Sequence, residues 1–310
     1  MFPPHALSLV GDTPLVRLAH LDRDLPWPVY GKCEHLNPSG SIKDRIAVAI
    51  VDALEASGDL APGGTLVEAT AGNTGLGLAL VAAVRGYELV CVMPEKMSVD
   101  KRTALRMAGA QVVVTDNAPP DDPRNFQQVA VRLAEANGWV LTDQFRHPAN
   151  IAAHEHGTGP EILADLPELA AFVAGAGTGG TLTGVARALA AAGSRAVVWL
   201  ADPVGSLLAA AVDGADDVDG SYAVEGIGSS RVPDNLDLRL VRGALRIPDA
   251  ESFATTRRLI REEGLLVGGS AGCNVAAALR LASDPATGGP VVTVLCDSWD
   301  RYFSTDWFRA

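Results

Sequence analysis

The chain has 310 residues, of which 48% are hydrophobic and 20% are charged, and its formal net charge is -12. This length is enough for a large core in one or two domains, and no apolar run approaches the roughly 20 residues needed to cross a bilayer. The acidic charge argues against a nucleic-acid or anionic-membrane partner, because phosphate binding requires clustered Lys and Arg. The first residues lack the pattern of a secretion signal, so we expect a cytoplasmic protein.

Apolar, β-branched runs alternate with amphipathic stretches along most of the chain. We predict strands near 65–69, 88–93, 111–115, 171–174, 197–201 and 291–295. Apolar residues at helical spacing predict helices near 42–57, 75–85, 98–108, 124–136, 181–192, 250–263 and 271–283. This alternation is typical of an α/β fold, in which helices cover both faces of a parallel sheet.

The sequence indicates no metal site and no disulfide framework. The four cysteines, Cys33, Cys91, Cys273 and Cys296, are far apart and form no CxxC pair. His154 and His156 suggest a pair of metal ligands, but no third ligand lies nearby in the sequence. We therefore interpret both as surface or interface histidines.

Three glycine-rich turns each lie between a predicted strand and a predicted helix, where backbone N–H groups can bind an anion. The turns are 68–75 (EATAGNTG), 175–181 (GAGTGGT) and 268–272 (GGSAG). The second turn matches GxGxxG, and Asp202 ends the next predicted strand about 20 residues later, so a nicotinamide-dependent oxidoreductase is an open alternative. Hydroxyls of Thr178 and Thr181 modestly favour a terminal phosphate monoester over a bridging pyrophosphate.

Lys43 follows the turn-forming sequence NPSGS near the start of the first predicted helix. The positive end of the helix dipole there would lower the pKa of its amine and favour the neutral form that Schiff-base chemistry needs. A solvated lysine in the KDR charge cluster explains the same spacing. Spacing alone does not decide between the two interpretations.

Four motifs, in order, resemble the cysteine synthase and cystathionine β-synthase family of pyridoxal-phosphate (PLP) enzymes. They are NPSGSIKDR (37–45), GNTG (72–75), GTGGT (177–181) and GSAG (269–272). The resemblance covers nearly the whole chain and implies the tryptophan synthase β-like PLP fold, a two-domain, three-layer αβα arrangement with mostly parallel twisted sheets. It implies a larger PLP-binding domain formed by 1–39 and 144–310, a smaller mobile substrate-binding domain formed by 40–143, an active site between them, and a homodimer.

The resemblance also implies a role for each matching residue. Lys43 would hold PLP as a Schiff base, and Asn73 would hydrogen-bond the phenolic oxygen of the cofactor. Ser270 would face the pyridine nitrogen, where a hydroxyl leaves that nitrogen unprotonated and favours β-elimination over transamination. The phosphate would bind Gly177, Thr178, Gly179, Gly180 and Thr181, and the substrate carboxylate would bind Thr70, Gly72, Asn73, Thr74 and Gln144. Taken singly, each residue is explained as well by a turn or a helix cap.

The implied reaction is β-replacement on serine, O-acetylserine or O-phosphoserine through an aminoacrylate, forming cysteine or cystathionine. The sequences YAVEGIG (222–228) and EGLLVGGS (263–270) look closer to cystathionine β-synthase, whereas the length suits a cysteine synthase equally well. Ala71 stands where the family usually has a serine. Arg231, after the EGIG turn, is a candidate to pair with an anionic group of a substrate, and an exposed loop arginine is an equal alternative.

Two further functions stay open at this point. One is β-replacement with a nitrogen nucleophile, as in diaminopropionate-type synthases of natural-product biosynthesis. The other is a catalytically silent PLP-binding or partner-binding protein that has kept the fold.

Overall fold

The computed structural model describes residues 3–119, 121–215 and 220–309. Each strand predicted from the sequence is present and begins at the predicted residue. The strands are β1 (Leu15–Arg17), β2 (Val29–Lys32), β3 (Thr65–Ala69), β4 (Glu88–Pro94), β5 (Gln111–Thr115), β6 (Val140–Leu141), β7 (Ala171–Ala174), β8 (Val197–Pro203), β9 (Gly243–Ile247) and β10 (Val291–Val294).

Each predicted helix is also present, with its ends displaced by one or two residues at most. A π-helix, His154–Thr158, continues directly from one α-helix into the next and was not predicted. The α-helices are α1 (Lys43–Ser57), α2 (Asn73–Arg85), α3 (Val99–Met107), α4 (Phe126–Asn137), α5 (Ala149–Ala153), α6 (Gly159–Asp165), α7 (Gly180–Ala191), α8 (Leu208–Asp213), α9 (Asp249–Glu262), α10 (Gly269–Ala282) and α11 (Asp306–Arg309).

The chain divides into two compact units. The smaller unit comprises Met1–Val10 and Asn37–Asn150. Its sheet is parallel throughout, in the strand order β5-β4-β3-β6. Helix α4 packs on β3 and β4 through a core of small and β-branched side chains, and α1 packs against α2.

The larger unit comprises Gly11–Leu36 and Ile151–Ala310. Its sheet has the order β1-β2-β10-β7-β8-β9, and only the pairing of β1 with β2 is antiparallel. The central strands β7 and β10 are buried along their whole length, as expected for strands covered on both faces. Helix α10 lies against β10, β7 and β8 and packs on α9.

These two units confirm the predicted fold class, an α/β protein with mostly parallel sheets and helical layers. Within the described residues, no helix combines the length and the apolar character of a membrane span.

Candidate active site

Lys43 is the first residue of α1 and is half-buried. The turn before it is held by Asp44, which is fully buried and accepts hydrogen bonds from the backbone N–H of Ser39, at 2.6 Å, and from the Ser39 hydroxyl. Gly40 supplies the left-handed conformation that the turn needs, with φ at 82°. The NPSGS sequence therefore folds into a fixed turn that presents Lys43 at a helix N-terminus.

Lys32 is another of the four lysines in the sequence, and its side chain is held in a buried ion pair. The Lys32 side chain is 1% exposed and lies 2.8 Å from the Glu161 carboxylate, and it also donates to the carbonyl oxygen of Thr13. A lysine that is held in a buried ion pair is not available for bond formation with a cofactor.

The turn before α2 is built around the Thr70 hydroxyl. This buried oxygen accepts hydrogen bonds from the backbone N–H groups of Gly72, at 2.9 Å, and Gly75, at 3.4 Å. Gly72 has φ at 138°, a conformation that side chains rarely adopt. Asn73 and Thr74 are the first two residues of α2, where backbone N–H groups have no acceptor inside the helix. The geometry suits an anion such as a carboxylate.

Close packing in the smaller unit brings the start of α1, with Lys43, against the N-terminal part of α2, the helix that follows this turn. Gly77 of α2 faces the start of α1, and a Cβ atom on Gly77 would lie 3.1 Å from the Lys43 carbonyl oxygen and 3.2 Å from Cα of Asp44. The absence of a side chain at Gly77 therefore lets the N-terminal turns of α1 and α2 approach each other.

Gln144 joins the same group of residues through a buried chain of hydrogen bonds. Its Oε1 accepts from the Thr74 hydroxyl at 2.6 Å, and its Nε2 donates to the Glu68 carboxylate at 3.2 Å and to the carbonyl oxygen of Ala69 at 3.1 Å. Asp143, just before it, has φ at 43°, which turns the chain sharply after β6. Gln144 is therefore fixed against the turn that precedes α2.

Glu68 is the charged group at the base of this chain. It is 1% exposed, and its carboxylate accepts from the Thr142 hydroxyl at 2.5 Å and from the backbone N–H of Gln144 at 3.2 Å. Burial raises the pKa of Glu68 to about 7, although these donors act in the opposite direction. Glu68 had no predicted role, and its sequence signal was a lone charge in the apolar strand TLVEA.

In the larger unit, residues 175–179 connect β7 to α7. A Cβ on Gly177 would overlap the carbonyl oxygen of Gly226, and Gly179 has φ at 88° with its Cα facing Leu236. The loop therefore accepts only glycine at these positions. Thr178 is buried and Thr181 is half-buried, and no acidic side chain lies in the first turn of α7.

Ser270 is the second residue of α10, and it is buried in the larger unit. The same helix carries Asn274, whose Oδ1 accepts from the backbone N–H of Gly175 at 2.7 Å and whose Nδ2 donates to the Val294 carbonyl oxygen at 2.9 Å. Asn274 thus ties the helix of Ser270 to the start of the glycine loop. Nothing in the motifs pointed to Asn274.

Two residues that depart from the family pattern are exposed. Ala71 is exposed in the turn before α2. Arg231 is exposed as well, and its backbone N–H donates to the Ser229 hydroxyl at 3.2 Å. The proposed role of Arg231 toward an anion stays a prediction.

Asp202 was the residue on which the nicotinamide alternative depended. It is fully buried in β8, and its Oδ2 accepts from the backbone N–H of Ala209 at 2.8 Å. This carboxylate therefore supports the first turn of α8, which removes the specific observation that favoured a ribose contact.

The interpretation of His154 as a surface or interface histidine was wrong, because the residue is buried within the chain itself. His154 is 1% exposed and its ring lies between two threonine hydroxyls, whereas His156 is exposed as expected. This burial was not predictable from local spacing, because a π-helix changes the face on which each residue lies. Among the described residues, no group of three or more His, Cys, Asp or Glu side chains is arranged to hold a metal ion.

The site residues fit PLP on two structural observations. Gly177 packs so closely on the backbone of Gly226 that a Cβ would overlap the carbonyl oxygen there, so the loop keeps bare backbone at this position. The N-terminus of the 12-residue helix α7, without an acidic side chain in its first turn, suits a phosphate dianion. Lys43 supplies the amine that the cofactor aldehyde requires.

Comparisons with known proteins agree with this fit. The model of a family described as pyridoxal-phosphate dependent enzyme matches residues 6–297. Cystathionine beta-synthase of Oryctolagus cuniculus is 43% identical over 307 residues, which cover 97% of this chain and 56% of that protein. The chain thus spans little more than half the length of this relative. Cysteine synthase 1 of Neurospora crassa is 42% identical over 312 residues, which cover 97% of this chain and 83% of that protein.

Solved structures agree as well. The crystal structure of O-ureido-L-serine synthase matches with a TM-score of 0.91 and 38% identity, covering 100% of this chain and 96% of that one. A variant of that synthase, with a lysine replaced by alanine and O-ureido-L-serine bound, gives a TM-score of 0.91 and 37% identity, covering 100% and 95% of the two chains. The chain therefore belongs to the pyridoxal-phosphate-dependent enzyme family, and this confirms PLP as its cofactor.

Proposed function

We propose that the chain catalyses β-replacement on a serine-type donor, forming cysteine or cystathionine. The observation that carries this proposal is the close contact of α1 and α2 in the smaller unit, which holds Lys43 beside a turn suited to a carboxylate. Relatives that are 42% to 43% identical are named cysteine synthase and cystathionine beta-synthase, which supports the same reaction class.

Lys43 is the proposed catalytic residue. PLP, when bound, supplies an electron sink for the α-carbon of the amino acid. The Nζ atom of Lys43 bonds the cofactor in the resting enzyme, and when it is not so bonded, it removes the α-proton and later returns a proton to the product. Asn73 donates a hydrogen bond to the phenolic oxygen of the cofactor.

The substrate carboxylate is proposed to bind at the N-terminus of α2. The backbone N–H groups of this helix end supply donors without a buried cation. Thr70 shapes the turn by holding two of its N–H groups, and Gln144 braces Thr74. The residues proposed for this subsite are Thr70, Gly72, Asn73, Thr74 and Gln144.

The remaining cofactor contacts are proposed for the larger unit. Ser270 would hold the pyridine nitrogen of the cofactor, and a hydroxyl at that position would leave the nitrogen unprotonated. The phosphate is held by Gly177, Thr178, Gly179, Gly180 and Thr181. Arg231 pairs with an anionic group, either the phosphate of O-phosphoserine or the carboxylate of the incoming nucleophile.

Domain roles and assembly belong to the same proposal. The proposed mobile substrate-binding domain is 40–143, and the proposed PLP-binding domain is 1–39 with 144–310. The compact units have different bounds, because Met1–Val10 and residues 144–150 pack with the smaller unit. The enzyme is a cytoplasmic homodimer. Light scattering after gel filtration tests the dimer, since a mass equal to one chain contradicts it, and cell fractionation tests the location.

A second candidate is β-replacement with an oxygen or nitrogen nucleophile in natural-product biosynthesis. The structure of O-ureido-L-serine synthase, of which the chain covers 96%, favours this candidate over a reaction limited to sulfur. Both candidates share the donor half of the reaction and differ only in the nucleophile.

A matrix of donors and nucleophiles tests the proposal. Serine, O-acetylserine and O-phosphoserine are each combined with sulfide, homocysteine, hydroxyurea and ammonia, and the products are identified by mass spectrometry. One donor should support product formation, and the preferred nucleophile distinguishes the two candidates. Lys43→Ala should abolish turnover in the active combination. Turnover by Lys43→Ala at the unsubstituted rate contradicts the proposal, as does a lack of β-replacement product in every combination.

A further inference from the structure

Each ring nitrogen of His154 lies within hydrogen-bonding distance of a threonine hydroxyl. Nδ1 is 2.9 Å from Oγ1 of Thr158, and Nε2 is 3.1 Å from Oγ1 of Thr181. All three residues belong to the larger unit. Thr158 is fully buried, and Thr181 is the second residue of α7 and the last residue of the glycine loop.

Close packing fixes the position of His154 against α7. The π-helix His154–Thr158 is closed by a hydrogen bond from the backbone N–H of Gly159 to the carbonyl oxygen of His154. Gly184 of α7 faces this segment, and a Cβ there would lie only 2.6 Å from Cβ of His154 and 2.8 Å from the backbone nitrogen of Glu155. The π-helix and the glycine together bring the imidazole to the first turn of α7; π-helical turns of this kind are frequent at functional sites.

The contact between His154 and Thr181 allows two arrangements, in which either the Thr181 hydroxyl or Nε2 of His154 is the hydrogen-bond donor. A threonine hydroxyl has one hydrogen, and phosphate oxygens of a dianion only accept hydrogen bonds. If Thr181 donated its hydrogen to His154, its oxygen would face the phosphate only with lone pairs and could not donate to it. If His154 donates from Nε2 instead, the hydrogen of Thr181 is left to donate to the phosphate.

We propose that His154 is a positioning residue of the phosphate loop: its Nε2–H donates to Thr181 and directs the Thr181 hydroxyl hydrogen toward the cofactor phosphate. In this arrangement the Thr158 hydroxyl donates to Nδ1 and holds the ring in the required tautomer. The inference rests on the proposed function, because it assigns the phosphate to residues 177–181.

Matched amide substitutions test the inference. The side-chain nitrogen of glutamine stands close to the position of Nε2, and that of asparagine close to the position of Nδ1. His154→Gln should therefore keep the PLP dissociation constant within about twofold, whereas His154→Asn should raise it about fivefold, the value of one hydrogen bond. The phosphorus NMR signal of the bound cofactor should shift in His154→Asn and stay in place in His154→Gln.

A double-mutant cycle separates positioning from general loss of structure. In a Thr181→Val background, His154→Asn should cause no further loss of PLP affinity, because the hydroxyl that it directs is gone. If His154→Asn lowers PLP affinity equally in the original and the Thr181→Val backgrounds, the inference is overturned and the proposed function still stands. A Thr181→Val enzyme that binds PLP as tightly as the original overturns the phosphate assignment and the inference together.

A measurement without substitution on the holoenzyme covers the case in which the variants fold poorly. The chain has six histidines, so nitrogen-15 NMR of the imidazole rings is tractable. The His154 ring should carry its proton on Nε2. A proton on Nδ1 with a bare Nε2 overturns the inference.

Discussion

Glu68 and Gln144 are joined by two hydrogen bonds, although 76 positions separate them in the chain. The carboxylate accepts from both the backbone N–H and the side-chain Nε2 of Gln144, each at 3.2 Å. Because Nε2 is directed to Glu68 and Ala69, Oε1 of Gln144 is left to accept from Thr74. A buried carboxylate thus sets the orientation of an amide at the proposed carboxylate subsite.

The burial of Glu68 predicts a pH-dependent cost of folding. Its pKa is raised to about 7 in the folded protein, from an ordinary value of 4.5. The contribution of Glu68 to stability is therefore most favourable below pH 4.5 and is lost as pH rises toward 7, because the unfolded chain releases this proton first. This loss of unfolding free energy amounts to roughly 3 kcal/mol at most, at about 1.4 kcal/mol for each pH unit.

Urea unfolding of Glu68→Gln against the original protein measures this cost. The difference in unfolding free energy between the two should move in favour of the variant as pH rises from about 4.5 to about 7. Glu88→Gln, at the exposed start of β4, is the control and should show no such trend. If the unfolding free energies of Glu68→Gln and the original protein change in parallel with pH, the pKa of Glu68 is not raised in the folded protein.

Removal of the Thr74 hydroxyl should impair substrate binding and leave PLP affinity intact. Thr74→Val leaves the buried Oε1 of Gln144 without its 2.6 Å donor, which costs about 1–3 kcal/mol. We expect the KM for the amino-acid donor to rise about tenfold with a smaller change in kcat. Thr74→Ser, which keeps the hydroxyl, should restore most of the affinity. A valine variant with unchanged donor KM contradicts the proposed subsite.

A side chain on Gly177 should prevent PLP binding. The new Cβ in Gly177→Ala would overlap the carbonyl oxygen of Gly226, so the loop must move away from the position that approaches the phosphate. The PLP dissociation constant, measured by absorbance titration, should rise more than about tenfold.

Gly193→Ala is the matched control for Gly177→Ala. Gly193 has φ at 67° with open space around its Cα, so alanine there costs about 1 kcal/mol of stability through the backbone alone. PLP affinity should be unchanged. Equal PLP affinities in the two alanine variants would remove the glycine loop from the proposed site.

Arg231 should act on an anionic substrate group. Arg231→Ala is expected to raise the KM of O-phosphoserine or of the carboxylate-bearing nucleophile about fivefold, as for an exposed ion pair. Arg239→Ala is the control, because Arg239 is exposed and pairs with Asp237 on its own loop. Unchanged kinetics of Arg231→Ala with every donor and nucleophile contradict this role.

The main strands and helices were predictable because each has a clear apolar period. Strand β3 and strand β7 have the predicted bounds, and the glycine turns lie where strands meet helices. Strand β2 was missed because Gly31 and Lys32 interrupt its apolar run. The burial of Lys32 depends on Glu161 and Asp165, far along the chain, which compensate its charge.

The supporting residues of the site could not be predicted for a related reason. Glu68 and Asn274 act through partners 76 and 99 positions away. The burial of His154 depends on a π-helix and on its contact with Thr181, 27 positions along the chain. Local sequence patterns show the lone charge of Glu68 in an apolar strand but not the distant partners of these residues, whereas the cofactor motifs are local and were visible at once.

Borohydride trapping tests the central claim, that Lys43 bonds the cofactor. Reduction of the holoenzyme fixes PLP covalently on the lysine that carries it, and peptide mass spectrometry locates that residue among the four lysines of the chain, Lys32, Lys43, Lys96 and Lys101. The modification should lie on Lys43, and Lys43→Ala should lose the visible cofactor band. Trapping on another lysine, or no trapping in a protein saturated with PLP, would contradict it.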